Sequence, residues 1–110
     1  MRIISGAGVF RRPEPGEATD FTEHLSVTDL SVGTYSLPAG AVDDQSPHRQ
    51  DEIYVVTAGR AVLDADSGRV PVGPGDVLYV PAGERHLFTD VTEDLSLLVL
   101  FAPAYTPPEE

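Results

Sequence analysis

Turn-forming residues divide this chain into short extended segments and leave no room for a long helix. Ten glycines and ten prolines are spread over 110 residues, and no long window has the apolar spacing of an amphipathic helix. Between the turns the residues are β-branched or aromatic, or they alternate apolar with polar, which is typical of strands. The sequence therefore predicts an all-β protein, a barrel or sandwich of two antiparallel sheets.

Seven segments are predicted to be strands, namely residues 30–37, 53–57, 60–66, 69–72, 77–80, 86–89 and 95–101. The last segment, Leu95 to Phe101, is apolar on both faces, so we expect its outer face to pack on a second sheet or on a second subunit. Residues 1–22 are expected to form an N-terminal arm that includes a polar loop at 11–20. Residues 102–110, with three prolines and two terminal glutamates, are expected to form a tail.

Composition limits the partners and the location. The formal net charge is −11, so the surface repels phosphate groups, and we expect neither nucleic acid nor a membrane as a partner. Cysteine is absent from the sequence, which excludes disulfides and thiolate metal sites. The longest apolar run is far shorter than the ~20 residues of a membrane span, and the N-terminus lacks the pattern of a secretory signal. We expect a single domain, because 110 residues leave no room for a second core. We also expect a cytoplasmic location.

Two histidines and one glutamate are candidate metal ligands. His48 and Glu52 are four residues apart, and in an extended chain this even spacing places both side chains on one face, together with Tyr54. His86 begins a predicted strand shortly after the turn at 81–83. Two imidazoles and one carboxylate, with other coordination positions left open, suit a redox-active or Lewis-acidic divalent metal.

Structural interpretations of the same residues stay open. Glu52 could be a strand-end carboxylate in water, or it could be paired with an arginine, since an ionised glutamate is rarely buried alone. Arg60 and Arg85 could balance local acids or clamp a substrate carboxylate. For the remaining polar residues we expect structural roles: a surface position for His24, packing for Tyr79, and a solvated turn for Asp43 and Asp44.

The segments around the candidate ligands resemble the two motifs of the cupin superfamily, G-x5-H-x-H-x3-4-E-x6-G and G-x5-P-x-G-x2-H-x3-N. The matching positions are Gly40, His48, Glu52 and Gly59 in the first motif and Gly75, Pro81, Gly83 and His86 in the second. The resemblance covers residues 40–59 and 75–90 and is typical of a small bacterial cupin. It implies a double-stranded β-helix, or jelly-roll barrel, that holds a divalent metal (iron, nickel, zinc or manganese). It also implies a homodimer, since dimers are common among small cupins.

Two positions depart from these motifs. Ser46 stands where the first histidine is usual, and Asp90 stands where asparagine is usual. The remaining set of two histidines and one carboxylate is a combination expected for non-haem iron. Gln45 or Ser46 could supply a neutral fourth ligand, directly or through water. Gln50 shares the parity of the first-motif ligands and is a further candidate.

The resemblance implies a metal-dependent enzyme that acts on a small organic molecule. The reaction could be that of a dioxygenase or that of a Lewis-acid isomerase or cyclase. In either case Tyr54, Gln45 or Gln50 would orient the substrate or a water molecule. The alternative is a non-catalytic cupin that binds a metal or a small ligand, because one barrel fold hosts many functions.

Overall fold

Two antiparallel sheets form the protein in this computed structural model, which describes residues 1–107. The strands in this range are β1 (Asp20–Val27), β2 (Leu30–Leu37), β3 (Asp51–Ala58), β4 (Ala61–Ala65), β5 (Gly68–Val72), β6 (Val77–Val80), β7 (His86–Thr89) and β8 (Leu95–Ala102). The five-stranded sheet has the order β1-β2-β8-β3-β6, and the three-stranded sheet has the order β5-β4-β7. The inner faces of both sheets contribute to one apolar core.

This architecture confirms the predicted fold class. The seven predicted strands are all present, and their ends agree with the prediction to within two residues. Residues 1–107 contain no helix, and therefore none that is long and apolar enough to cross a membrane. The alternation of buried and exposed residues along β3 is the pattern expected of a strand with one face in the core.

The first strand is absent from the prediction, and it shortens the expected N-terminal arm. β1 starts at Asp20, where the sequence predicted an arm up to residue 22. Phe21, Leu25 and Val27 share one parity, but Glu23 interrupts the pattern and the register shifts between residues 23 and 25. The prediction of a surface position for His24 on this strand is not met, because its ring is half-buried and its Nε2 lies 2.6 Å from the hydroxyl of Thr34.

The N-terminal arm packs on the outer face of the five-stranded sheet. The amide of Gly8 donates to the hydroxyl of Thr34 at 2.8 Å, and the hydroxyl of Thr57 donates to the carbonyl of Gly8. Thr57 Oγ1 also lies 2.8 Å from the hydroxyl of Ser96, which is buried. This part of the outer face of β8 is therefore covered by the chain's own arm, where a second sheet or subunit was predicted.

Backbone geometry explains two motif positions. Gly59 ends the turn after β3 with φ +89, and a Cβ there would lie 2.2 Å from the carbonyl oxygen of Asp94, so a larger residue does not fit. Asp90 has φ 50, in the left-handed region that asparagine and aspartate tolerate best among residues other than glycine. The usual asparagine at this position can therefore be replaced by aspartate without a change of backbone.

Candidate metal centre

The three candidate ligands come from different parts of the fold and converge between the sheets. Glu52 lies on β3 of the larger sheet, His86 begins β7 of the smaller sheet, and His48 lies in the loop before β3. His86 Nε2 is 2.9 Å from Glu52 Oε1, and His48 Nε2 is 3.8 Å from the same oxygen. The ligand atoms of all three residues lie within 4.8 Å of one another. A metal with ligand bonds of about 2.0–2.3 Å requires a spacing of this order.

Hydrogen bonds between the two motif loops hold this geometry. The amide of Gly83 donates to the carbonyl of His48 at 2.7 Å. The next amide toward the N-terminus, that of Ala82, donates to Asp51 Oδ1 at 2.9 Å. The turn that precedes His86 is thus bonded to the loop that carries His48, which places the two imidazoles on a common frame.

The tautomer of His86 is fixed by its surroundings. Its Nδ1 lies 2.8 Å from the carbonyl oxygen of Glu84, and because a carbonyl only accepts, Nδ1 carries the hydrogen. In the neutral ring, the lone pair of Nε2 then faces the carboxylate of Glu52. Within residues 1–107, Glu52 Oε1 is buried and has no hydrogen bond of acceptable geometry, although Nε2 is close. Two lone pairs at 2.9 Å repel unless a proton or a cation lies between them, so these residues fit a bound divalent metal.

The two histidines differ in basicity. Burial lowers the pKa of His48, and this effect exceeds the opposite effect of Glu52. Burial also lowers the pKa of His86, but the Glu52 carboxylate and the carbonyl of Glu84 together outweigh burial, and the net pKa is raised. In the absence of a metal, His86, beside the buried Glu52, is therefore the ring that is protonated first as the pH falls.

Asp43 is buried, so the prediction of a solvated turn is wrong for this residue, although Asp44 is exposed. The carboxylate of Asp43 accepts hydrogen bonds from the hydroxyl of Tyr35 at 2.7 Å, from the side-chain amide of Gln45 at 2.7 Å and from the backbone amide of Phe88 at 2.8 Å. Charge-assisted bonds of this number satisfy a carboxylate inside a protein, and no sequence pattern reveals such partners.

Gln45 is the neutral residue that the structure brings to the cluster. Because its side-chain Nε2 donates to Asp43, its Oε1 is the atom that faces the site. This oxygen lies 3.1 Å from Nε2 of His48 and accepts a hydrogen bond of 3.1 Å from the hydroxyl of Tyr54. Gln45 therefore offers a carbonyl-type oxygen next to the candidate ligands.

Tyr54 supplies a proton donor to the same cluster. Its ring is buried in the core, and its hydroxyl lies 3.2 Å from Nε2 of His86. Burial and the nearby Glu52 carboxylate raise the pKa of Tyr54 well above its ordinary value. The phenol consequently keeps its proton near neutral pH, and in this structure it donates that proton to Oε1 of Gln45.

The structure places Ser46 and Gln50 away from the pocket beside the cluster. Ser46 is exposed and is not among the residues that line this pocket. Gln50 is buried, but it is also outside the lining, and its side-chain amide donates to the hydroxyl of Thr106 at 2.9 Å. Of the three polar candidates in this loop, only Gln45 reaches the candidate ligands.

The two candidate arginines and Tyr79 lie outside the lining of this pocket. Arg85 pairs with Asp66 at 3.2 Å and Arg60 with Glu93 at 3.9 Å, and neither arginine lines the pocket. Both therefore balance local acids, which is one of the two interpretations that the sequence allowed. The prediction of packing is wrong for Tyr79, which is 62% exposed.

A cavity of about 170 Å³ opens beside the ligands. Its polar part consists of Gln45, His48, Glu52 and Tyr54, and its apolar wall consists of Phe21, Tyr35, Val99, Phe101 and Tyr105.

Phe21 and Tyr105 are not among the candidates named from the sequence, because they fall in the expected arm and tail. Tyr105 is held by its backbone amide, which donates to the hydroxyl of Ser31 at 2.9 Å. Tyr105 is the single aromatic residue of the expected tail, whereas Phe21 is one of two in the expected arm, so only the tail carried a clear signal. Residues 108–110 of the expected tail lie outside the described residues.

Comparison with known sequences gives a family match over most of the chain. The Cupin domain family (Cupin_2) matches residues 33–101. A protein of Streptomyces coelicolor, named uncharacterized protein SCO3923, is 45% identical over 83 residues, which are 76% of this chain and 79% of the relative.

Solved structures agree with this match. KdgF from Halomonas superposes with a TM-score of 0.72 at 22% identity, over 86% of each chain. An RmlC-like cupin from Methanocaldococcus jannaschii with a double-stranded β-helix fold gives 0.69 at 16% identity, over 86% of this chain and 89% of the other. A Streptomyces PAC13 variant with uridine gives 0.67 at 26% identity, over 81% and 72%. From the family match, the shared fold and the motif residues at the cluster, it follows that this chain belongs to the cupin family.

Proposed function

We propose that the protein is a metal-dependent enzyme that acts on a small organic molecule, with His48, Glu52 and His86 as the metal ligands. The observation that carries this proposal is the approach of His86 Nε2 to Glu52 Oε1 at 2.9 Å, with Nδ1 of the same ring committed to the Glu84 carbonyl. A divalent metal bound there would act as a Lewis acid or, if redox-active, would activate dioxygen.

Gln45 and Tyr54 complete the proposed site. Gln45 offers its side-chain oxygen as a weak fourth ligand, because Asp43 holds the amide in the orientation that turns Oε1 toward His48. Tyr54 would orient the substrate by turning toward it the hydroxyl hydrogen that it donates to Gln45 in this structure. Gln50, which the sequence named as a second orienting residue, has no support from its position in the structure.

The lining of the cavity favours dioxygenase-type chemistry over proton transfer by the protein. Among the nine lining residues there is no lysine, arginine or aspartate, and the histidine and the glutamate present, His48 and Glu52, are proposed metal ligands. A reaction that requires a separate general base therefore has none in the lining. Chemistry in which the metal itself activates a reactant needs no such group.

Non-catalytic binding of a metal or small ligand is the second candidate function. The same absence of a separate base in the lining favours it, since a binding protein needs shape and a few fixed polar groups but no acid–base residue. The two candidates differ in turnover, which is measurable once the metal is known.

Metal analysis followed by an oxygen-uptake assay tests the proposal. The protein is purified without a histidine tag, its metal content is measured, and iron(II)-loaded protein is incubated anaerobically and then aerobically with a panel of small phenols and enols. Uridine is included because a similar structure contains it. Oxygen uptake that requires iron and is lost in His86→Ala but kept in His24→Ala supports a dioxygenase. Bound zinc or nickel without oxygen uptake favours Lewis-acid chemistry, and absence of bound metal favours the binding protein.

We also propose that the protein is a homodimer formed through the outer face of the five-stranded sheet. On this face Leu100 lies opposite Ile53, and Ile53 lies opposite Tyr79. Leu98 and Val55 form the neighbouring pair. These five uncharged residues lie in a chain of net charge −11, and a two-fold axis would place the apolar face against its own copy. A cytoplasmic location stays a prediction from the sequence.

A further inference from the structure

We infer that the ligand of the cavity is about the size of one ring, with a single metal-binding oxygen end and an uncharged, aromatic or apolar body. This inference rests on the proposed metal site, and it adds the chemical class of the molecule that the site accepts. It follows from the walls, the charge and the volume of the cavity, which are independent of one another.

The wall of the cavity is a set of aromatic rings in contact. The rings of Phe101 and Tyr105 are 4.9 Å apart, that of Phe21 is 6.3 Å from Tyr105, and that of His48 is 5.1 Å from Phe101. Tyr35 contributes its ring, because its hydroxyl is committed to Asp43. Such a wall binds apolar area and the faces and edges of rings.

The charge of the cavity allows one negative group at most. The lining contains Glu52 but neither lysine nor arginine, and the buried carboxylate of Asp43 lies directly behind Tyr35 and Gln45. These two carboxylates balance the charge of a divalent metal, which can still bind one anionic oxygen, such as an enolate or phenolate. A second anionic group on the body would lie against the aromatic wall of a chain with net charge −11, without a cation to compensate its desolvation.

The volume limits the body to one ring. The cavity measures about 170 Å³, and an engineered apolar cavity of about 150 Å³ holds a benzene molecule. A molecule with two fused rings would have to displace Phe21 or Tyr105. Phe21 is 42% exposed and is the most exposed residue of the lining.

Hydroxamic acids test this inference because the same metal-binding group can be attached to different substituents. Zinc-loaded protein is titrated by calorimetry with acetohydroxamate, benzohydroxamate, and benzohydroxamates bearing a para carboxamide or a para carboxylate. We expect benzohydroxamate to bind roughly tenfold more tightly than acetohydroxamate, because the ring removes apolar area from water. We expect the carboxylate to bind at least roughly fivefold more weakly than the carboxamide, its neutral match in size.

Two variants distinguish affinity that comes from the aromatic wall from affinity that comes from the metal. Tyr105→Ala should remove most of the benzohydroxamate preference while the acetohydroxamate affinity changes less than roughly twofold, since only the phenyl ring contacts the wall. Phe10→Ala is the matched control, because Phe10 is an aromatic residue of the N-terminal arm outside the cavity lining. It should leave both affinities unchanged.

The outcomes distinguish this inference from the proposed function. Equal affinity for the acetyl and phenyl probes, or tighter binding of the carboxylate, in protein that retains zinc overturns the inference and leaves the metal site standing. If the protein takes up no zinc, the proposed function fails, and the wall is tested alone by NMR on metal-free protein. Amide shifts of Val99 and Tyr105 with benzohydroxamate but not with acetohydroxamate then support the aromatic wall, and equal shifts overturn it.

Discussion

The amide of Gly83 donates a hydrogen bond of 2.7 Å to the carbonyl of His48, and this bond joins the two loops that present the candidate ligands. Gly83 has φ +84, a conformation that residues with a Cβ rarely adopt. The same glycine thus shapes the turn before His86 and fixes the backbone of His48. In this structure it bonds the turn before His86 to the loop that carries His48.

Replacing Gly83 by alanine should weaken metal binding as well as the fold. A Cβ at this position meets no atom within 4 Å, so the cost is backbone strain of about 1 kcal/mol, together with a longer bond to the His48 carbonyl. We expect a lower melting temperature and a zinc affinity reduced roughly five- to tenfold, measured by thermal unfolding and calorimetry.

Gly16→Ala is the matched control for this prediction. Gly16 has φ +91 and also no atom within 4 Å of an added Cβ, but it lies in the N-terminal arm. It should lower the melting temperature by a similar amount and leave zinc affinity unchanged. Equal loss of zinc affinity in both variants would show that the effect is global and not due to the Gly83–His48 bond.

Glu52→Gln should stabilise the metal-free protein and abolish the stabilisation that the parent protein gains from bound metal. At a pH above the raised pKa of His86 the ring is neutral, and the carboxylate is buried with an Oε1 that lacks a hydrogen bond of acceptable geometry. Glutamine removes the charge and can donate its amide hydrogen to the lone pair of His86 Nε2, a gain of about 1 kcal/mol. Thermal unfolding of metal-free protein should give a higher melting temperature for the variant, and excess zinc should reverse the order.

A lower melting temperature of metal-free Glu52→Gln would contradict this view of the site. It would mean that at this pH the carboxylate still forms an ion pair with a protonated His86. The comparison requires complete removal of metal by a chelator, because a bound ion stabilises the native state in proportion to its occupancy.

Metal affinity should fall with decreasing pH in two steps. The pKa of His86 is raised above the ordinary ~6.5 of histidine, and that of His48 is lowered below it. Protons therefore compete with the metal at His86 first, from above ~6.5 downward, and at His48 only at lower pH. In zinc titrations between pH 8 and pH 5, the affinity should first fall about tenfold per pH unit. It should fall more steeply once protons also compete at His48.

The stability of metal-free protein tests the direction of the pKa shift of His86. Because the folded state raises the pKa of His86, the protonated ring contributes stability below the unfolded value of ~6.5, and this contribution is lost as the pH rises through the raised pKa. His48, with its lowered pKa, acts in the opposite direction. His86→Ala should therefore remove a stability contribution that is largest at acidic pH, and a loss confined to alkaline pH would contradict the assignment.

The ligand set illustrates what the sequence can and cannot predict. The two sheets follow from local patterns, namely alternation of period two between turn residues, and the convergence of His48, Glu52 and His86 is expected from the resemblance of their segments to the two cupin motifs. The choice between Gln45 and Ser46 does not follow from such patterns, because residues 41–50 form no strand and strand parity has no meaning there. The orientation of Gln45 depends on Asp43, whose own partners include Phe88, far away in sequence.

Asp43→Asn should weaken the metal site through Gln45. An asparagine at this position no longer offers two acceptor oxygens, so the Gln45 amide loses the bond that turns its Oε1 toward His48. We expect a modest loss of zinc affinity, roughly threefold to tenfold, similar to that of Gln45→Ala, and a double variant no worse than either single one. The spectrum of cobalt(II)-loaded protein should change in both single variants if Gln45 is a ligand.

Ser46→His is the companion variant for the same loop. Residue 46 is exposed and outside the pocket lining, so we expect a histidine there to leave zinc affinity within roughly twofold of the parent protein. Additive losses in the Asp43 and Gln45 double variant, or a large gain from Ser46→His, would mean that Gln45 does not occupy the fourth position.

Leu100→Asp should convert the proposed dimer into a monomer. Leu100 is half-buried in β8 on the outer face, between Val32 and Ile53 on the neighbouring strands. A two-fold interface there would set two new carboxylates close together in an apolar environment, which is unfavourable by several kcal/mol. Light scattering coupled to size exclusion should give twice the chain mass of 11.8 kDa for the parent protein and that mass for the variant. Val42→Asp adds the same charge at a loop position that is 74% exposed and should remain dimeric, and a parent protein of single-chain mass would rule out the dimer.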